Sequence, residues 1–194
     1  MDKELKICGV DEAGRGPLAG PVFAAAVVLH KQNVPHGLKD SKKLSEKARR
    51  TLYQQICKDA DDFAIANVSA EEIDSINILK ASLLAMARAV NKIKTTYSHV
   101  LVDGLHSPYL GGKNVYTVVK GDSKVAEISA ASILAKVARD DYMCHLDLKY
   151  PEFKFAQHKG YPTQLHLRVL KTYGPTQEHR KTFKPVKLSI KSGL

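Results

Sequence analysis

Apolar residues along the chain follow two rhythms. Leu5 to Asp11 and Val22 to Leu29 are short, β-rich apolar runs, and the Gly/Pro-rich corner from Gly14 to Pro21 predicts that they are adjacent strands joined by a turn. A connection this short predicts antiparallel pairing. Phe63 to Val68 alternates like a strand, while Val100 to Asp103 and Val115 to Val119 are very short apolar strands. A helical period governs Ser41 to Lys58, where Leu44, Ala48, Leu52 and Ile56 recur among Lys, Glu and Arg. Ser69-Ala70-Glu71-Glu72 is a capping-box signature, predicted to open one long helix through Ile93 with Leu79, Leu83, Met86 and Val90 on its buried face. From Val125 to about Tyr150 the chain reads as helix again, with Ile128, Ala131, Leu134, Ala135 and Ala138 on one side. Small residues there predict close packing on a sheet.

Strands with intervening helices predict an α/β layer structure, and the antiparallel opening pair makes its sheet mixed. After Pro151 the character changes to aromatics, His and Lys; Pro162-Thr163 predicts the start of a short helix ending near Tyr173-Gly174, followed by a basic tail. The expected organisation is a core over 1–150 and a small helical C-terminal region over 151–194, packed on that core.

Composition narrows the class. In 194 residues, 44% apolar and 26% charged, the balance is that of a globular protein. The longest mainly apolar run, Pro21 to Leu29, is far short of the roughly 20 residues a membrane-spanning helix needs, so no membrane span or signal peptide is expected. Cys8, Cys57 and Cys144 are scattered, with no C-x-x-C spacing; an odd count closes no disulfide framework and fits a reducing cytoplasm. Thirty Lys and Arg against twenty Asp and Glu leave a formal charge of +10, which favours a polyanionic partner, nucleic acid first.

Four acids stand out against that positive background, each interrupting or ending an apolar strand: Asp11 and Glu12 after Ile7 to Val10, Asp103 after Val100 to Val102, and Asp122 after Val115 to Val119. Taken singly, such acids are turn formers. Brought together beside core strands they repel one another unless a cation compensates them, and hard divalent ions, Mg²⁺ above all, are bound by a few carboxylates plus substrate phosphate. In a basic chain this points to metal-assisted phosphodiester cleavage. Gly14, Arg15 and Gly16 follow the first acid pair; a turn of this kind lets backbone N–H groups approach a sugar or phosphate, although it also reads as a plain hairpin turn. Asp40-Ser41-Lys42-Lys43 and His158-Lys159-Gly160-Tyr161 add cations, hydroxyls and an aromatic ring in loops.

The blocks VDEAGRGPLAGPV (Val10 to Val22), LKDSKKLSEKAR (Leu38 to Arg49), VDG (Val102 to Gly104), VVKGDSKVAEISAASILAKVARD (Val118 to Asp140) and QHKGYPT (Gln157 to Thr163) resemble bacterial type 2 ribonuclease H, in that family's order and over nearly the whole chain. The resemblance implies a ribonuclease H-like fold, a mixed central sheet flanked by helices. It also implies a metal-dependent endonuclease acting on RNA–DNA hybrids and on single ribonucleotides embedded in duplex DNA. By motif, Asp11, Glu12, Asp103 and Asp122 are the implied catalytic and metal-binding carboxylates for two Mg²⁺ or Mn²⁺ ions. Gly14, Arg15 and Gly16 are implied readers of the ribose 2′-hydroxyl, and Tyr161 packs on the sugar at the RNA-to-DNA step. Lys42, Lys43, Lys120 and Lys159 are expected to hold phosphates. The C-terminal stretch Phe183-Lys184-Pro185-Val186-Lys187 departs from the family's usual Phe-Gly-Pro-Val-Lys. Neither a type 3 N-terminal extension nor a clamp-binding Q-x-x-L-x-x-F-F stretch is legible, and a monomer without an obligate protein partner is expected. Two other readings compete: a nuclease or strand-transferase of the same fold acting on DNA alone, and a non-catalytic nucleic-acid-binding module whose acids are structural.

Overall fold

The computed structural model describes residues 6–38 and 44–191. Five strands, β1 (Ile7–Ala13), β2 (Val22–Val28), β3 (Asp62–Val68), β4 (His99–Asp103) and β5 (Val115–Val118), form one sheet in the order β3-β2-β1-β4-β5. β2 pairs antiparallel with both β1 and β3, while β1–β4 and β4–β5 are parallel, so the sheet is mixed as expected. All seven residues of β2 are buried. Val22, Ala24, Ala26 and Val28 face one core and Ala25 and Val27 the other; a strand covered on both faces has no polar side to alternate with.

α1 (Glu46–Asp59) starts after Ser45, whose hydroxyl accepts from the Ala48 N–H at 3.2 Å. The capping box at Ser69 is present, with Glu72 N–H on Ser69 Oγ at 3.1 Å and Ser69 N–H on Glu72 Oε2 at 3.0 Å. The single helix expected through Ile93 is instead two, α2 (Ala70–Ile76) and α3 (Ile78–Val90). Asn77 divides them: its backbone turns to φ 68° and ψ 163°, a strained conformation for a residue other than glycine that breaks the helix, and its side chain accepts from Lys80 N–H to start the second one. α3 sinks the predicted Met86 and Val90 into the sheet together with Ala81, Ala85 and Ala89, whose small side chains let the axis approach, and Leu83 packs partly buried against the same core.

α4 (Ala126–Lys149) covers the opposite face and packs on β1 and β2. A β-carbon at Gly9 in β1 would overlap the backbone of Glu127, so glycine is required for the first turn of α4 to reach the strand. Beyond it, α5 (Phe155–His158), α6 (Gln164–Tyr173) and α7 (Lys184–Lys191) surround a third core of Leu18, Met143, Phe153, Phe155, Leu170 and Val186. α6 has the predicted limits, capped by Thr163 and ended by Gly174. α7 lies where a basic tail was expected; fully buried Val186 anchors it, a signal too short to read as periodicity. No helix among the described residues is long and apolar enough to cross a membrane.

Candidate active site

Two ladders of different length build the acidic end of the sheet. The antiparallel ladder to β2 continues through Ala13↔Phe23, whereas the parallel ladder to β4 stops at Val10↔Val102. Asp11 and Glu12 therefore both lie inside β1, which runs two residues past the strand expected over Leu5 to Asp11. Cys8, Val10, Val100 and Val102 share the α3 side of the sheet, so strand alternation puts Asp11 and Asp103 together on the α4 side, one step past the last parallel pair. Asp11 is 5% exposed, and burial, with Glu12 and Asp103 adding repulsion, holds its carboxyl well above the usual carboxylate range. The nearby Ser132 hydroxyl of α4 and the Glu12 N–H, which donates to Asp11 Oδ1 at 2.7 Å, partly offset that rise.

Burial likewise raises Glu12; Arg15 pulls it down and Asp103 pushes it up. Glu12 Oε1 meets Arg15 Nη1 at 3.4 Å, while Glu12 Oε2 is buried with no hydrogen-bond partner. Asp103 Oδ1 accepts from the Gly121 N–H at 2.6 Å, which fixes the turn Gly121–Ser123 that carries Asp122, 3% exposed, beside it. Asp11, Glu12 and Asp103 are thus electrostatically coupled, and Asp122 follows one residue from Asp103's backbone partner. An orphaned buried carboxylate oxygen among mutually repelling acids is the chemistry a hard cation satisfies. Among the described residues, no three His, Cys, Asp or Glu side chains close around an ion by themselves. Carboxylates that share an ion with substrate phosphate and water need not do so.

The Gly14–Gly16 turn leads directly away from these acids. Gly14 has φ 98°, and Tyr161, 41% exposed, faces Gly16: a β-carbon there would stand 3.7 Å from the ring. A cleft of about 320 Å³ between them is lined by Glu12, Gly14, Arg49, Ser132, Lys136 and Tyr161. Lys120 is exposed next to Gly121, with φ 55°. Lys42 and Lys43 lie outside the described residues. Lys159 Nζ donates to Cys144 Sγ at 3.0 Å.

Sequence reasoning missed two arginines. Arg139 is 1% exposed, donates to the carbonyls of Ala19 and Pro21, stands 5.9 Å from the Tyr161 ring centre, and leaves Nη1 buried without a partner. Arg180 is fully buried against the backbone of the turn. Arg139 stands in the block SAASILAKVARD, so its neighbourhood was visible; Arg180 sits in a stretch with no readable pattern.

A sequence profile described as ribonuclease HII matches residues 8–186. The chain belongs to the ribonuclease HII family. Ribonuclease HII of Francisella tularensis subsp. novicida (strain U112) is 51% identical over 184 residues, covering 95% of this chain and 99% of that protein. The ribonuclease H2 of Pyrococcus horikoshii OT3 superimposes with a TM-score of 0.80 at 29% identity, covering 97% of this chain and 98% of that one. The Archaeoglobus fulgidus ribonuclease HII, solved in complex with PCNA, gives a TM-score of 0.78 at 28% identity, covering 93% and 96%. At 18% identity, Bst-RNase HIII, solved with Mn²⁺, shares the fold with a TM-score of 0.76. The ribonuclease HII chain described here is accordingly an endonucleolytic hydrolase with ribonuclease H activity on RNA–DNA substrates.

Proposed function

We propose that this chain, in the presence of Mg²⁺ or Mn²⁺, hydrolyses the RNA strand of RNA–DNA hybrids and nicks duplex DNA on the 5′ side of a single embedded ribonucleotide. The phosphorus–O3′ bond breaks, leaving 3′-hydroxyl and 5′-phosphate ends. One observation carries this reading: the coupled carboxylates and the Tyr161 ring flank the same Gly14–Gly16 turn. Cleavage chemistry and sugar recognition then act on neighbouring nucleotides.

Asp11, Glu12, Asp103 and Asp122 would hold the cations, with Glu12 Oε2 as an oxygen left open for one. Divalent cations supply charge neutralisation of the scissile phosphate and activation of water as the nucleophile. The backbone of Gly14, Arg15 and Gly16 reads the 2′-hydroxyl, the group that locally distinguishes RNA from DNA. Tyr161 packs on the following deoxyribose, where a second 2′-hydroxyl would be in the way. Neither contact touches a base edge, so little sequence preference follows. Lys120, with Lys42 and Lys43, holds flanking phosphates. Residues 151–194 act as the substrate-binding region that supplies Tyr161 to the core. The chain works as a monomer without an obligate protein partner, and its three free cysteines suit a reducing cytoplasm.

The test is incubation with an end-labelled DNA duplex carrying one ribonucleotide, in Mg²⁺, Mn²⁺ or EDTA, with the cut mapped to the nucleotide. The expected result is a metal-dependent nick 5′ of the ribonucleotide with a 3′-hydroxyl. Cleavage of a long hybrid without any cut at the single ribonucleotide would remove the junction-reading roles of the turn and Tyr161.

A further inference from the structure

Residues 18–20, just past the turn, form a backbone hub. On one side the Leu18 N–H donates to the Gly160 carbonyl at 2.8 Å, next to Tyr161; on the other, Gly20 N–H donates to Glu178 O and Arg180 N–H to Leu18 O, both at 2.8 Å. Ala19 and His179 pair as an isolated antiparallel bridge. The 178–180 segment is therefore stitched to the loop that carries the turn.

Two consecutive side chains of that segment reach opposite halves of the proposed sugar-reading site. Arg180 Nη2 donates to Gly14 O at 2.6 Å and Nη1 to Arg15 O at 3.0 Å, while Nε and Nη2 reach Gly20 O at 3.0 and 2.8 Å. Its whole planar fork is used on backbone carbonyls, which sets where the turn's peptide planes point. His179 acts on the other half through His166. The Tyr161 carbonyl only accepts, so His166 Nδ1, 3.0 Å away, carries the proton; His166 Nε2 then accepts from His179 Nε2–H at 3.0 Å. His179 Nδ1 accepts in turn from the Thr176 N–H at 3.0 Å. Every proton in this relay is assigned by a backbone group at each end.

We infer that His179 and Arg180 are positioning residues that set the spacing between the Gly14–Gly16 turn and Tyr161, and so determine how well the enzyme selects a single ribonucleotide. The inference rests on the proposed roles of that turn and ring. Neither side chain touches substrate: Arg180 is fully buried and His179 is 1% exposed. Displacing a reading group by an ångström costs about a hundredfold in rate when the reactive geometry depends on it.

The test uses Arg180→Lys and His179→Gln, made separately in the full chain. Steady-state kcat and KM are measured on a duplex with one ribonucleotide and on a hybrid with a continuous RNA strand, alongside the thermal midpoint. Lysine keeps the charge but cannot hold three carbonyls in one plane. For Arg180→Lys, kcat on the single-ribonucleotide duplex is expected to fall about a hundredfold, and the single-ribonucleotide to hybrid ratio of kcat/KM to fall about tenfold or more. His179→Gln should move the same ratio in the same direction. A purely structural role would lower the midpoint and both activities together, so an unchanged ratio overturns the inference. If Arg180→Lys does not fold, the ratio for His179→Gln decides alone. Failure of the unsubstituted chain to cut the single-ribonucleotide duplex overturns the ribonucleotide reading and this inference with it.

Discussion

A β-carbon at Gly14 would overlap Nε and Cδ of the Arg139 side chain. The glycine is held there in two ways, by the neighbouring guanidinium and by its own φ of 98°. Gly14→Ala must therefore strain the backbone or push Arg139 away from the Ala19 and Pro21 carbonyls. A left-handed non-glycine residue costs on the order of 1–3 kcal/mol. The expected outcome is a thermal midpoint lower by several degrees and a strongly reduced nicking rate, read by calorimetry and gel assay. Native values for both would show that the loop is free to move.

Asp103→Asn keeps an oxygen for the Gly121 N–H but removes a charge. Losing several kcal/mol of electrostatic stabilisation lowers the rate by about 10³-fold. Binding of the hybrid, followed by fluorescence anisotropy without divalent metal, is expected to persist. Turnover within about tenfold of the unsubstituted chain would take Asp103 out of the reaction.

Divalent ions are expected to stabilise the chain before any substrate is added, because they relieve the repulsion among Asp11, Glu12 and Asp103. At tenfold above the dissociation constant the gain is about 1.4 kcal/mol, or a few degrees in the midpoint for a chain of this size. Glu12→Gln should shrink that increment. A midpoint insensitive to Mg²⁺ and Mn²⁺ up to millimolar concentrations would argue that the acids do not hold an ion in the free protein.

Burial lowers His166 to about 4 and His179 to about 3, and lowers His158 as well. In the unfolded chain all three take up protons near pH 6.5. As pH falls below that value the unfolded state binds more protons than the folded state, so stability declines until the folded-state values are reached. His166 and His179 each contribute a slope of up to about 1.4 kcal/mol per pH unit between about pH 6 and 4, and His158 acts in the same direction. Urea midpoints taken at pH 7.5, 6 and 5 should fall steeply, and His179→Gln should flatten the profile. An equally steep profile in that variant would assign the acid sensitivity to other groups.

Tyr161→Ala is expected to lower the preference for the RNA-to-DNA junction more than overall duplex affinity, since sugar packing and phosphate contacts are separate contributions. The cleavage map on a chimeric strand measures it. An unaltered map would leave the ring without that role.

Most elements that bury apolar surface were legible from apolar runs, helical periodicity and cap residues, α7 with its buried Val186 being the exception. β2 betrays itself by seven apolar residues, and α6 by Thr163 and Gly174 at its ends. The break at Asn77 was hidden because the apolar pattern runs through it; only the backbone angle separates α2 from α3. The acids stood out as charges in apolar runs, yet their exact place in β1 depends on two ladders ending at different residues, which one strand's sequence does not encode. Arg139 and Arg180 were least visible. Their partners are backbone carbonyls from a distant loop, and carbonyls leave no trace in residue identity.

Arg180 and Gly20 lie 160 residues apart in the chain. A ribosome adding roughly 5–20 residues per second spends about ten to thirty seconds between them. The strand bearing Asp11 and Glu12 is made at the start of that interval, and the guanidinium that fixes the turn arrives at its end. Nascent chains therefore carry the candidate metal-binding acids well before the turn proposed to read ribose is locked, and on that proposal selectivity matures last in biosynthesis.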